Sequence, residues 1–242
     1  MTTTTATLGP AHAPGAHVRE HRSVLAAAEK RLLVWTAGRL PAWVTSDQLT
    51  ALGAAAMLGT AGAFASAWFD RRALALVPVL LAVNWFGDSL DGTLARVRHQ
   101  QRPRYGYYLD HVVDIAVTAA LFTGLALSGL CSPWTAMALL VGYLLLCGES
   151  FLATHALGVF RLSFAGLGPT ELRILLAAGA LTALVRPVVS PLGLGPFLLF
   201  DLGGFIGAAG MAVVFAASAA HNTAALYRAE PLPSPPVAPP AA

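Results

Sequence analysis

Four aspartates stand close together in an otherwise apolar stretch: Asp88, Asp91, Asp110 and Asp114. Acids inside a membrane-like segment are expensive and are functional candidates by default. Asp88 and Asp91 are spaced i, i+3; Asp110 and Asp114 are spaced i, i+4. On helices, each pair shares one face. Four ionised carboxylates held that close repel one another, so they need cations or must in part be protonated. Two divalent ions would cancel the four charges. Hard oxygen ligands suit Mg²⁺ or Mn²⁺, and a pair of such ions suits phosphate chemistry. The residues between fit the same use. Gly92 removes a side chain where a ligand could approach the backbone, and Ala95 is small one turn beyond Asp91. Arg96 can grip a phosphate with its fork, Arg98, Arg102 and Arg104 add positive potential, and Gly106 opens the next segment. The bland alternative is a set of salt bridges to neighbouring arginines; this spacing on two consecutive segments argues against it.

The elements that position these residues follow from composition. Of 242 residues, 56% are apolar and only 11% charged, against roughly a quarter charged in a soluble domain. Mean hydropathy is +0.65. That excludes a water-soluble globule. The 23 Gly and 16 Pro show no collagen period, and two Cys cannot staple a disulfide scaffold. Cys131 and Cys147, on or near one helix, would lie about 24 Å apart and could not pair. Nothing points to nucleic acid. The fold class is all-α, a polytopic integral membrane protein with six transmembrane helices preceded by an amphipathic interfacial helix. Residues 1–20 read as a disordered tail without a cleavable signal pattern, 21–40 as the interfacial helix, 41–228 as the membrane domain, and 229–242 as a disordered Pro-rich tail. The six apolar stretches fall at about 47–69, 73–96, 106–130, 133–157, 170–187 and 197–226. Thr45 or Ser46 can cap the first, with Asp47 in its first turn. The short loop after the second stretch predicts that the second and third spans are antiparallel neighbours, their carboxylates at similar depth.

Six spans put both termini on one side. That side would carry 12 of the 15 Lys+Arg, and the opposite side only Arg71, Arg72 and Arg186. The termini and the aspartates are therefore expected to be cytoplasmic, in a bacterial inner (plasma) membrane.

The run Asp88-Ser-Leu-Asp91-Gly92-Thr-Leu-Ala95-Arg96, nine residues, then Gly106-Tyr-Tyr-Leu-Asp110-His-Val-Val-Asp114 resembles the signature of the CDP-alcohol phosphotransferase family, with all eight fixed positions present. The resemblance implies transfer of a substituted phosphate from a CDP-linked donor to an alcohol acceptor, releasing CMP, in phospholipid biosynthesis. It implies that Asp88, Asp91 and Asp110 ligate two divalent ions, with Asp114 as general base and part of the metal site. Gly92, Ala95, Arg96 and Gly106 would line the cytidine-diphosphate pocket, and the enzyme would be a homodimer. CDP-diacylglycerol is the expected donor. A CDP-linked head group with a lipid alcohol is the alternative, because the His111 that follows Asp110 resembles the choline/ethanolamine branch.

Candidates for the acceptor pocket are Arg173, Glu149, Arg161 and His111, each with a structural reading beside the functional one. Glu149, inside the fourth span, either faces the acceptor or pairs with an arginine. Arg161 is explained by topology alone, and His111 by packing. Thr170 and Glu171 suit a helix start. Asn84, four before Asp88, either bonds a ligand or bridges helices. Asp201 reads as a far-side cap. The rival of another class, a cation-binding transporter, needs acids along a path across the membrane, whereas these four lie near one face.

Overall fold

A computed structural model describes residues 26–157, 169–193 and 195–232. The expected tail 1–20 and Arg161 lie outside the described residues, as do 233–242 of the expected C-terminal tail. The described chain forms α1 (Ala26–Ala37), α2 (Ser46–Ser66), α3 (Val77–Val97), α4 (Pro103–Leu127), α5 (Pro133–Leu157), α6 (Pro169–Val185), β1 (Val188–Val189), β2 (Phe197–Leu198) and α7 (Leu199–Ala229). A 3₁₀ run, Arg71–Leu76, leads into α3.

Among the described residues, five segments are long and apolar enough to cross a membrane: Ser46–Ser66, Arg71–Val97, Pro103–Leu127, Pro133–Leu157 and Leu199–Ala229. The expected stretch 170–187 is α6, a helix of 17 residues, about 25 Å long at 1.5 Å per residue. The architecture is all-α and polytopic. The β1–β2 hairpin was not anticipated: Val188 pairs with Leu198 and Val189 with Phe197, antiparallel. Gly193 (φ +75°) and Gly195 (φ +105°) make its turn possible, because only glycine enters this region freely.

Of the two candidate caps for α2, Thr45 is the one used. Its hydroxyl accepts from Gln48 N at 3.2 Å, and Gln48 Oε1 accepts from Thr45 N at 2.9 Å, a reciprocal capping box.

α2 is the shared platform of the bundle. α3 and α4 both pack along it; the further pairings are α1 with α3, α3 with α6, α4 with α5, and α5 with α7. The second and third spans do bring their carboxylates to one depth, Asp88, Asp110 and Asp114 each offering an oxygen within 4.8 Å of the others, but the extensive packing of α3 and α4 runs to α2. The reason is the placement of small residues. A Cβ on Gly87 would meet Leu49 O at 2.5 Å and Gly53 N at 2.7 Å, and one on Gly124 would fall onto the Ala61 backbone. Both helices thus close on α2 at backbone distance, leaving their acidic faces a gap between them.

Two apolar clusters hold the bundle. The larger includes Phe64, Leu74, Val77, Leu81, Leu121, Leu125 and Ala180; Phe64 and Phe200 meet edge to face at 5.5 Å. The smaller, at the aspartate end, joins Leu33 and Ala37 of α1 to Leu49, Leu90 and Leu94. Exposed Trp43, Tyr105 and Tyr108 gather at the aspartate end, and exposed Trp68, Phe69 and Trp134 at the other. Such belts mark membrane–water interfaces.

Candidate active site

The acidic face of α3 is positioned by α2. Thr50 Oγ1 donates to Asp91 Oδ2 at 2.6 Å, and Ser46 Oγ to the Asp91 carbonyl at 2.6 Å. The other Asp91 carboxylate oxygen accepts from Gly92 N. Ser46 and Thr50 lie one turn apart, so one stripe of α2 grips Asp91 by backbone and side chain together.

Asp88 is held from the other direction. Buried Asn84, one turn before it, donates to Gly53 O at 2.9 Å and accepts from Arg173 Nε at 2.7 Å. Arg173 Nη2 donates to Asp88 Oδ2 at 2.5 Å, its side chain only 14% exposed. Of the two readings of Asn84, helix bridging is the one observed, and the bridge also fixes the Arg173 guanidinium. α6 is tied down nearby: Glu29 Oε1 accepts from Trp85 Nε1 at 2.7 Å and from the Thr170 hydroxyl at 3.3 Å. α1 is therefore joined to α3 and α6 by its one acid.

α4 brings Asp110 and Asp114 to the same place. Asp88, Asp110 and Asp114 each offer an oxygen within 4.8 Å of the others. All four aspartates line one small cavity with Thr50, Gly53, Asn84 and Val117. Its free space is about 10 Å³, on the order of one water-sized sphere. Four formal negative charges face one guanidinium here, and every donor is a hard carboxylate oxygen. That donor set fits Mg²⁺ or Mn²⁺.

The other predicted residues separate into near and distant. Gly92 lies beneath Arg96, whose Nη1 would be 3.4 Å from a Cβ there. Arg96 is exposed and bonds Thr93 Oγ1 at 3.0 Å. Ala95 is half-buried beside it, and Gly106 is exposed with open space around it. Two arginines expected to add potential for substrate are engaged elsewhere. Arg98 donates to the carbonyls of Leu40, Pro41, Ala42 and Val44, at 2.6 to 3.5 Å, because the α1–α2 turn leaves those oxygens without helical partners. Arg102 pairs with Asp47 at 2.7 Å and lies over the Tyr105 ring.

Glu149 accepts from Asn222 Nδ2 at 2.6 Å, which joins α5 to α7, so its observed partner is an amide rather than an arginine. His111 Nδ1 lies 2.7 Å from Tyr107 O; a carbonyl only accepts, so that nitrogen carries the hydrogen. Its ring stacks on Tyr107 and meets Phe151, with Asp110 Oδ2 3.7 Å away. Asp201 does cap, but across helices: its Oδ1 accepts from Ser132 N at 2.7 Å, ahead of α5. Both cysteines are free thiols.

Ser46 and Thr50 were missed as site residues by sequence reasoning. The available signal was Thr50 one turn beyond a candidate cap; only the crossing of α2 over α3 shows what it faces.

With the geometry in place, comparison with known proteins becomes specific. A family model described as CDP-alcohol phosphatidyltransferase matches residues 43–219, roughly three quarters of the chain. The chain is 40% identical over 106 residues to a phosphatidylinositol phosphate synthase of Cutibacterium acnes, covering 41% of this chain and 47% of that protein. It is 36% identical over 87 residues to an archaetidylinositol phosphate synthase of Pyrococcus horikoshii, covering 36% of this chain and 43% of that protein. The matches thus span just under half the length of these relatives.

Proposed function

Since this chain belongs to the CDP-alcohol phosphatidyltransferase family, we propose that it transfers the phosphatidyl group of CDP-diacylglycerol to a phosphorylated polyol of the inositol phosphate class, releasing CMP. The observation that carries this reading is the meeting of four aspartates in one cavity, with one arginine fixed against them. The acceptor class follows the names of the two relatives. The same reading includes a homodimer in a plasma membrane with the aspartate end cytoplasmic.

Asp88, Asp91 and Asp110 would hold two divalent cations, Mg²⁺ or Mn²⁺, with Asp114 sharing in the site. When bound, such ions draw charge off the pyrophosphate and make CMP a better leaving group. Asp114 would take the proton of the acceptor hydroxyl as its oxygen attacks the diacylglycerol-bearing phosphorus. One P–O bond forms there, and the P–O bond to CMP breaks. Gly92, Ala95, Arg96 and Gly106 would line the CDP end of the donor, Gly92 and Ala95 of α3 and Gly106 of α4 by their small size and Arg96 by its guanidinium. Arg173 would grip the phosphate of the acceptor. Asn84 holds its Nε side, which leaves the Nη edge to turn from Asp88 toward a ligand. Glu149 and Arg161 remain candidate acceptor contacts; for His111, the bond to Tyr107 and the two ring contacts favour packing.

The test is CMP release by the purified protein with Mg²⁺. CDP-diacylglycerol is offered with inositol phosphate, free inositol or glycerol phosphate, and CDP-choline with diacylglycerol, each beside Asp114→Asn. CMP formed only with CDP-diacylglycerol and inositol phosphate, and lost in the variant, supports the reading. Release from CDP-choline instead moves the chain to the head-group-transfer branch that His111 suggests. No release from any pair, in folded protein that binds Mn²⁺, overturns the enzymatic reading in favour of cation handling.

A further inference from the structure

A second, roomier cavity lies far from the aspartates. It measures about 310 Å³ and is lined by Ala67, Trp68, Arg71, Ser128, Gly129, Leu130, Pro187, Val188 and Leu198. Ala67 lies 17 residues along the chain from Thr50, on or just past α2, about 25 Å at helical rise. The cavity is therefore at the opposite end of the bundle. Three elements build it: the end of α2 with the 3₁₀ run, the α4–α5 turn, and the β1–β2 hairpin. Gly129 has φ +69°, and a Cβ there would meet the Trp68 ring at 2.8 Å, so glycine lets the α4–α5 turn fold against the indole.

Three observations converge on this cavity. The first is charge. Positive-inside counting left three exceptions, Arg71, Arg72 and Arg186. Arg71 lines the cavity, Arg72 adjoins it in sequence, and Arg186 precedes the lining Pro187. The second is the absence of protein partners. Among the described residues no hydrogen bond or ion pair engages the side chains of Arg71, Arg72 or Arg186, whereas at the aspartate end Arg96, Arg98, Arg102 and Arg173 are all engaged. The nearest acid in sequence, Asp70, turns back to accept from Arg72 N at 2.9 Å. The third is depth: the cavity includes Trp68 of the aromatic belt, the level of lipid head groups.

We propose that this cavity is a binding site for an anionic phospholipid of the leaflet opposite the aspartates. Arg71 takes the phosphate, Arg72 and Arg186 raise the local positive potential, and Ala67, Leu130, Val188 and Leu198 pack the glycerol and first methylenes. The chemistry is one anion on an unpaired guanidinium fork with an apolar flank. A zwitterionic lipid offers the same phosphate but adds a cation beside three arginines, so charge favours the anionic lipid.

The test uses the full-length protein in mild detergent. It is titrated separately with phosphatidylglycerol brominated near the glycerol and with brominated phosphatidylcholine, and the quenching belonging to Trp68 is taken as the difference from Trp68→Phe. Glycerol phosphate is added as a competitor. The expected result is Trp68 quenching by phosphatidylglycerol at about tenfold lower concentration than by phosphatidylcholine, a loss of about tenfold in Arg71→Gln, and no displacement by glycerol phosphate. CMP release stays unchanged in Arg71→Gln. Arg71→Lys, which keeps the charge and loses the fork, is expected between the two and serves if the Gln variant folds poorly. Equal quenching by both lipids, or phosphatidylglycerol binding unaltered in both Arg71 variants, overturns the proposal. Displacement by glycerol phosphate overturns the lipid as the source and leaves a site for soluble phosphate esters.

Discussion

The two ends of the bundle are held together by different forces. At the aspartate end the contacts that position α1, α2, α3 and α6 are directional: Thr50 on Asp91, Asn84 between Gly53 and Arg173, Glu29 between Trp85 and Thr170, and Arg98 over four carbonyls. At the opposite end Phe64, Leu74, Val77, Leu121, Leu125 and Leu130 form a mainly apolar core, with polar bonds at the α4–α5 turn and Asp201, and among the described residues no protein partner engages the side chains of Arg71, Arg72 or Arg186. Dispersion and close packing tolerate small readjustment, while hydrogen bonds to carboxylates fix direction. A site that must hold four like charges in set positions needs the second kind of support. The apolar end supplies the stability against which that repulsion can be sustained.

This contrast is broken first by removing charge where it matters. Asp114→Asn keeps the shape of the side chain and removes the carboxylate proposed above to accept the proton. CMP release is expected to fall by about 10² to 10⁴-fold, the usual worth of a general base, with the melting temperature unchanged or raised because one repelling charge is gone. A fall in melting temperature instead would mean that Asp114 is structural.

Next come the two glycine crossings, which separate the ends directly. Gly87→Ala pushes a methyl into the α2 backbone beside Asp88; Gly124→Ala does the same against Ala61. Each is expected to destabilise by about 1–3 kcal/mol. Gly87→Ala should also lose cation binding and activity, because Asp88 and Asn84 move with α3. Gly124→Ala should lose stability while the remaining folded fraction keeps its activity per molecule. Gly62→Ala, whose Cβ would meet nothing within 4 Å, is the neutral control. Equal loss of specific activity in the Gly87 and Gly124 variants would erase the distinction between the ends.

Thr50 sharpens the comparison within the polar end. Thr50→Val removes the hydroxyl and keeps the volume; Thr50→Ser keeps the hydroxyl. Groups that orient a metal-ligating carboxylate typically alter affinity 10–100-fold. Mn²⁺ binding followed by paramagnetic resonance is expected to weaken by about tenfold in the Val variant and to be restored in the Ser variant. Equal binding in both would show that Gly92 N alone suffices to hold Asp91.

Much of this was legible in the sequence, and the boundary between what was and was not is physical. The apolar stretches report burial in lipid, a property of composition, so the boundaries of α2 to α5 and α7 fall within a few residues of their predicted ends. The i, i+3 and i, i+4 spacings are local, so the pairing of aspartates on one face needed no fold. What sequence could not supply was the crossing partner. Nothing in the order of residues says that α3 and α4 both close on α2 at Gly87 and Gly124, and without that crossing Thr50 and Ser46 are ordinary polar residues in the first turns of a helix. Arg98 and Arg102 failed for the same reason: a cation near a motif is assigned to the substrate until a carbonyl or carboxylate from another element is seen to occupy it. The hairpin escaped because two-residue strands carry no periodicity.

The smallest expected effect lies at the apolar end. Cys131 sits in that core, 2% exposed, outside the helices, with Sγ 3.5 Å from Asp201 Oδ1. Burial, and then the Asp201 carboxylate, push its thiol up from the ordinary 9.0 to about 12. The folded state therefore keeps the proton through a range where the unfolded chain loses it. The stabilising difference is fully present below pH 9 and is lost as pH rises from there toward 12. Between pH 9 and 11 the melting temperature of the wild type should fall slightly more steeply than that of Cys131→Ala, and maleimide should label Cys131 only after unfolding. Parallel melting profiles and rapid labelling of the folded protein would show that water reaches this core, and that the two ends differ less in packing than their side chains imply.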